Sequence, residues 1–395
     1  NRALHPLIGR HQLPVSSTIT LGSLVRAIGP ALGGGAGERG ALEMELCRAF
    51  DAAGGLLVDS GTSALALALR AVAKPGGIVA LPAYACVDMA AAAIFAQLRV
   101  RLYDVDPVSL SADMESVKRV LAAGADVIVA SHLYGYPSDV PGIVALATAH
   151  GTAVIEDAAQ GAWGSLRDTR LGAFGPLSVL SFGRGKGMTG AGGGALLAIG
   201  GALLEALDAA RRTLVSARSG MRTLTMAKAQ WLLGRPSLYA LPSAIPGLHL
   251  GETIYHPAHA AREITRVSAS LVRGALVRAD ADLGVRTGHA RLLERATREG
   301  KGVSSIRPIV DATPGYLRFP VRLTTARGGD RSRPELGVVH GYPKTLDELP
   351  ELSKWLMGEE RLTGARELAR DLITLPTHAL LTQNDLRAIR KWLLD

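Results

Sequence analysis

The stretch Ser181 to Gly194, SFGRGKGMTGAGGG, sets one lysine, Lys186, in a loop with Gly183, Gly185, Gly187 and Gly190 close around it. The loop joins two apolar runs, LSVLSF and GALLAIG. So much glycine between strand-like runs points to a backbone held against a ligand or another segment. A lysine desolvated there can lose its charge, and the neutral amine is a nucleophile toward aldehydes. A solvated loop lysine fits the same residues, so other positions have to decide. Gly61, Thr62 and Ser63 stand between a short apolar run and an alanine-leucine run. There they would bring backbone donors and hydroxyls to the positive end of a helix dipole, where a phosphate binds, or else merely cap the helix. Asp157 closes the apolar run TAVIED. A part-buried carboxylate needs a positive partner, such as a protonated ring nitrogen, unless it caps the next helix instead.

The elements around these residues alternate. Strand-like Leu56 to Val58, Ile78 to Ala83, Arg99 to Asp106, Asp126 to Gly135 and Thr152 to Asp157 are separated by helical runs, among them Met114 to Ala123 and Val140 to Ala149. Such alternation predicts an α/β sheet covered on both faces, with ligands at the carboxyl ends of its strands. Gly61 to Ser63, Tyr84 to Cys86, His132, Asp157 and Lys186 all fall at such ends. Ser63 is the expected cap of the helix that Lys74, Pro75 and Gly76 close. Residues 1–40 read as an irregular arm because of GPALGGGAGERG, followed by a helix over Gly40 to Phe50. Beyond Arg262 the chain predicts arginine-rich helices to Arg298, short strands near Ile306 and Tyr316 to Leu323, and a last helix over Gln383 to Leu394. Arg318 in that region could meet a carboxylate or phosphate, although a surface salt bridge is the commoner fate of such an arginine.

Composition limits the function. At 395 residues and 48% hydrophobic content the chain can bury a large core, in two domains by length. Its net charge of +9 comes without like-charge blocks, and only 4% of the residues are aromatic. That argues against a nucleic-acid groove and leaves room for an anionic small molecule. Cys47 and Cys86 are the two cysteines. They make neither a disulfide framework nor a metal set, so a reducing cytoplasm is expected. No apolar run reaches the length of a membrane span, and the first residues lack a signal-peptide pattern. GAGGGA (Gly190 to Ala195) matches a dinucleotide fingerprint by letter but leads into an apolar strand rather than a helix, which that site requires.

In order and spacing, SGTSAL, PAY, HLYG, EDAAQ, SFGRGKG and GGGALL, over roughly residues 55–200, resemble the DegT/StrS family of pyridoxal-phosphate (PLP) sugar aminotransferases. The resemblance resumes more weakly at ITRVSASLVRGAL, with Arg266 and Ser268, and at YLRFPVRL and LPTH. It implies PLP fold type I: α/β, a large domain with a mostly parallel seven-stranded sheet plus a smaller C-terminal α/β domain. The corresponding division is an arm at 1–40, a PLP-binding domain at 41–256 and a small domain at 257–395. By the same resemblance Lys186 would carry the cofactor as an imine and then move the substrate proton. Asp157 would pair with the ring nitrogen, Gln160 would lie near the ring hydroxyl, and Gly61, Thr62, Ser63 and Ser181 would hold the phosphate.

Departures from the pattern are informative. Cys86 stands where the family usually stacks an aromatic residue on the ring, leaving Tyr84 as the expected cover. Ile264 replaces an asparagine that reaches across the family's dimer. Residues 201–262 form a longer insertion, whose Thr253, Tyr255 and His256 would either line a pocket or form a loop. Dehydratases of the family carry histidine at the lysine position, so Lys186 favours transamination. The implied reaction moves an amino group from an amino acid, with glutamate expected, to a keto group on a nucleotide-linked sugar or related polyol, in a homodimer without nucleic-acid or membrane partners. Dehydratase-like chemistry, or a PLP-binding regulator without turnover, is the alternative.

Overall fold

Apolar runs bounded by glycine and polar turns become strands, and runs with helical spacing cover them. The computed structural model describes residues 10–243, 254–323 and 331–395. Helices α1 (Leu21–Arg26), α2 (Ile28–Ala31) and α3 (Glu38–Phe50) lead into an alternating unit. Its strands β1 (Gly54–Val58), β2 (Ile78–Pro82), β3 (Arg99–Tyr103), β4 (Val127–Ser131) and β5 (Ala153–Asp157) are separated by α4 (Gly61–Val72), α5 (Val87–Phe95), α6 (Met114–Ala122) and α7 (Val140–Ala149). After the short pair β6 (Ser165–Leu166) and β7 (Thr169–Arg170), strands β8 (Leu177–Ser181) and β9 (Gly194–Ala198) complete a seven-stranded sheet in the order β1-β9-β8-β5-β4-β2-β3. Only β9 runs against its neighbours, β1 and β8. The remaining pairs are parallel. This is the mostly parallel seven-stranded sheet that the motifs imply, and it brings the carboxyl ends of β1, β2, β4, β5 and β8 to one edge.

Helix α4 shows why alternating SALALAL is not a strand. Every residue from Ser63 to Leu69 is buried, since the helix lies between the sheet and α5. A helix apolar all round presents no single stripe for periodicity to find. Its cap is Ser60 and not the expected Ser63: Ser60 Oγ accepts from the Ser63 N–H at 3.0 Å.

The arm is likewise more ordered than its glycines suggest. Thr20 and Ser23 form a capping box on α1, and Leu24 and Ala27 pack against Val267 and Leu271. Past the sheet run α8 (Leu204–Arg212), α9 (Gly220–Leu233), α10 (Ala240–Ser243), α11 (Arg266–Leu276) and α12 (Ala279–Glu299). Thr253 lies outside the described residues, while Tyr255 and His256 lie in irregular chain. The division expected at residue 257 does not follow the packing, because Ala269, Val272 and Ala275 of α11 share a core with Leu42, Leu57, Phe182 and Leu197.

A second core begins with α12. It packs with α14 (Gln383–Leu394) on a four-stranded antiparallel sheet formed by β10 (Val303–Ser305), β12 (Phe319–Leu323), β14 (Leu372–Leu375) and β13 (Val339–His340), with Leu293, Phe319, Ile373, Ile389 and Trp392 inside. Strand β11 (Ala312–Thr313) pairs with β6 instead, and α13 (Thr363–Asp371) leads into β14. Among the described residues no helix is long and apolar enough to cross a membrane.

Candidate active site

A cavity of about 280 Å³ opens at the shared strand edge. One wall is the start of α4, where a helix leaves backbone N–H groups without intrahelical partners. Ser60, Gly61 and Thr62 line it, and Ser181 faces them from the end of β8. The approach is close enough to require glycine at 61, because a Cβ there would come within 2.8 Å of Ser181 Cβ. Ser63 is absent from this lining: it is buried, and its hydroxyl donates to Asp59 Oδ1 at 2.8 Å. The lining hydroxyl expected from Ser63 thus comes from the cap Ser60, three residues earlier in the SGTS run.

Asp157 and Lys186 line the same cavity. Asp157 Oδ1 accepts from the Ala159 N–H at 2.9 Å, and Ser131 Oγ lies 3.5 Å from Oδ2. Burial pushes the carboxyl above its ordinary range, against the pull of the Ala159 N–H, Lys186 and His132. Among the described residues Asp157 forms no ion pair. Lys186 is half-buried on the β8–β9 loop, which is pinned by Gly190 N–H to Phe182 O at 2.8 Å and by Thr189 N–H to Thr18 Oγ1 at 3.1 Å. Its side chain borders this cavity and two adjoining ones.

Gln160 is fixed from both sides. Its Oε1 accepts from the Tyr134 N–H at 3.0 Å, and its Nε2 donates to Tyr342 Oη at 2.6 Å. Cys86 lines the cavity beside Met89, and burial pushes its thiol up to about 12, so it serves as an uncharged wall. Tyr84 is the misplaced expectation. It is fully buried and outside the lining, its Oη 3.3 Å from Tyr134 Oη and accepting from the Tyr342 N–H at 2.9 Å. Tyr84 therefore braces the tyrosines that hold Gln160 and does not cover a ring. Ile264 is 1% exposed within this chain's own core, so its side chain is not free to reach another subunit. Among the described residues Arg318 makes no salt bridge; it borders the larger neighbouring cavity.

Glu156 supports the site from the opposite face of β5, since successive strand residues alternate. Its oxygens accept from the N–H groups of Gly172 (2.6 Å), Phe174 (2.7 Å) and Gly175 (2.9 Å), from Ser178 Oγ (3.1 Å) and from His132 Nε2 (2.9 Å). His132 Nδ1 accepts from the Ser138 N–H, which leaves the ring proton on Nε2. Burial pushes the Glu156 carboxyl up, but His132 and the backbone donors outweigh it, and its pKa lies below the ordinary 4.5. A depressed folded pKa contributes stability above the unfolded value and loses it as pH falls through the folded one. Glu156→Gln is therefore expected to cost about 3 kcal/mol at neutral pH. The gap from wild type should close in denaturant titrations run below pH 4.5; a gap that is constant with pH would refute a charge-based role.

The residues present fit pyridoxal phosphate. A helix start with Thr62 and Ser181 suits a dianionic phosphate, Asp157, without an ion pair among the described residues, suits a protonated ring nitrogen, and Lys186 borders the same cavity.

The sequence profile of the DegT/DnrJ/EryC1/StrS aminotransferase family matches residues 35–393. A UDP-N-acetyl-3-dehydro-alpha-D-glucosamine 3-aminotransferase of Acidithiobacillus ferrooxidans is 35% identical over 166 residues, 42% of this chain and 45% of that protein. An L-glutamine:2-deoxy-scyllo-inosose aminotransferase of Micromonospora echinospora is 28% identical over 295 residues, 74% of this chain and 63% of that one. The chain thus spans less than two thirds of the length of these relatives. A crystal structure of an aminotransferase of the same family from Brucella abortus superposes with a TM-score of 0.74, at 21% identity and covering 94% of each chain. At that identity the likeness carries the fold, PLP fold type I, and nothing further.

Proposed function

Because the chain belongs to the DegT/DnrJ/EryC1/StrS aminotransferase family, we propose that it is a PLP-dependent transaminase. It would move an amino group from an amino acid to a keto group of a nucleotide-linked sugar or a related cyclic polyol. The observation that carries this reading is that Lys186 and Asp157 border one cavity that the start of α4 also lines. Bound PLP supplies an electron sink for the carbanion left when a proton leaves the substrate carbon.

The chain's own residues supply the rest. Asp157 keeps a proton on the ring nitrogen, which its unpaired, buried carboxylate favours. Lys186 Nζ would carry the proton between the donor's α-carbon and the cofactor's aldehyde carbon on the other side of the nitrogen, so that a single base serves both halves of the reaction. Gln160, locked by Tyr134 and Tyr342, orients the ring hydroxyl. The first turn of α4 and Ser181 hold the phosphate through short-range donors. Lysine at position 186, where the family's dehydratases carry histidine, supports transamination over deoxygenation. A homodimer in the cytoplasm completes the proposal, in keeping with two unpaired cysteines.

Relatives named for a 3-keto glucosamine and a deoxy-inosose indicate the first acceptors to try. PLP-loaded protein is incubated with each acceptor and with glutamate or glutamine, and the products are read by mass. Replacement of the keto oxygen by an amino group and a hydrogen, a net gain of about one mass unit, is expected with at least one pair. If no amino acid passes its amine to the loaded protein, the reading is refuted.

A further inference from the structure

Beyond the carboxyl end of β5, two successive non-glycine residues hold left-handed backbone, Ala162 with φ 48° and Trp163 with φ 70°. Such a pair is costly for residues that carry a Cβ and persists only where other contacts hold it. Helix α12 supplies two of those contacts. Asp280 Oδ1 accepts from Trp163 Nε1 at 2.8 Å. Arg286 Nη2 donates to Ala162 O at 2.6 Å, and its Nε donates to Gly315 O at 2.7 Å. Arg286 is only 7% exposed, and among the described residues it forms no ion pair. Burial pushes its guanidinium down to about 10, against the pull of Asp282 one turn back. A buried cation committed to two carbonyls is a costly way merely to tie a helix down.

What Ala162 supports is the loop of Lys186. A Cβ on Gly187 would come within 2.7 Å of Ala162 Cα, so the residue after the lysine lies directly on Ala162. The other pins of that loop, at Thr189 and Gly190, lie further along the chain. Resting on the transaminase reading above, we propose that Arg286 is a positioning residue for Lys186: it holds Ala162 in left-handed backbone as the floor under Gly187, and so fixes where the lysine amine stands. With the Ala162 carbonyl released, the strained backbone relaxes, the floor leaves Gly187, and the amine loses its fixed reach. A displacement of about 1 Å at a reacting group can cost on the order of 10²-fold in rate. Because α12 opens the second core, the smaller unit reaches the lysine through this one side chain.

Arg286→Met keeps the apolar stem and loses both donated hydrogen bonds, while Arg286→Lys can keep one. Adding Ala162→Gly separates a floor from a tether, because glycine takes a φ of 48° without strain. PLP-loaded proteins are compared by visible circular dichroism of the bound cofactor, by single-turnover amine transfer from whichever of glutamate and glutamine wild type accepts, and by melting temperature. Arg286→Met is expected to keep PLP absorbance, to lose about half or more of the visible dichroism and to slow single turnover roughly 30-fold. For Arg286→Lys a slowing of roughly fivefold is expected, and this variant carries the test if the methionine variant does not fold. Ala162→Gly added to either should recover most of the lost rate, to within about threefold of wild type. The proposal is overturned if the folded variants melt lower yet keep dichroism and rate within about twofold of wild type, which would make Arg286 a tether of α12 alone. It is also overturned if Ala162→Gly recovers none of the lost rate. In both cases PLP absorbance in wild type leaves the transaminase reading standing; a wild type without that absorbance would overturn both.

Discussion

Lys186→Ala is expected to give a folded protein whose amine transfer is slower by on the order of 10⁴-fold, the upper range for a removed general base. Borohydride should fix PLP to wild type and not to the variant, as the mass of the tryptic peptide would report. The structure separates this loss from unfolding. The Lys186 side chain forms no hydrogen bond or ion pair among the described residues. The loop around it is held by the backbone of Gly190 and by Thr189 with Thr18. Truncation at Cβ therefore removes the amine and leaves the loop's supports intact. The melting temperature of cofactor-free protein should stay within a few degrees of wild type. Added methylamine should recover part of the rate, because it replaces the missing base without the tether that gives Lys186 its effective concentration. A variant that keeps a rate within about tenfold of wild type would show that another group moves the proton.

Strand ends were the legible part of this site. Val58, Ser131, Asp157 and Ser181 close or follow apolar runs short enough to read as strands, and a parallel sheet brings such ends together whatever their distance in sequence. Adjacent hydroxyls were harder. Ser60 and Ser63 are both good caps by type, and only the start of α4 at Gly61 decides that Ser60 caps while Ser63 turns inward to Asp59. Tyr84 was illegible for another reason: its hydroxyl is engaged by Tyr342, 258 residues away, and no local pattern records that pairing. Arg318 follows the same rule. Its type and position suggest a surface ion pair, yet the sheet formed by β12, β14 and β13 sets it beside Thr374 and a ring of tyrosines. Helix α11 reads as part of the C-terminal unit because it follows the insertion, and it returns to the first core because its apolar face fits α3.

Asp157→Asn should divide function from stability. In the cofactor-free protein the carboxylate is a burden, because burial raises its pKa above the ordinary 3.8 in spite of the Ala159 N–H. A folded pKa raised above the unfolded one means that the charged form disfavours folding. That cost is fully present above the folded pKa and disappears as pH falls below the unfolded value. Asparagine keeps an acceptor for the Ala159 N–H and removes the charge. Cofactor-free Asp157→Asn is thus expected to melt at or above wild type at neutral pH, with the difference vanishing below pH 3.8. The amine-transfer rate should move the other way, falling roughly 10²- to 10³-fold, since each unit lost from the ring-nitrogen pKa corresponds to about 1.4 kcal/mol of preference for the protonated ring. PLP affinity should fall as well, read by equilibrium dialysis, because the ring's positive nitrogen loses its counter-charge. Lower stability together with an unchanged rate would instead make Asp157 a structural cap.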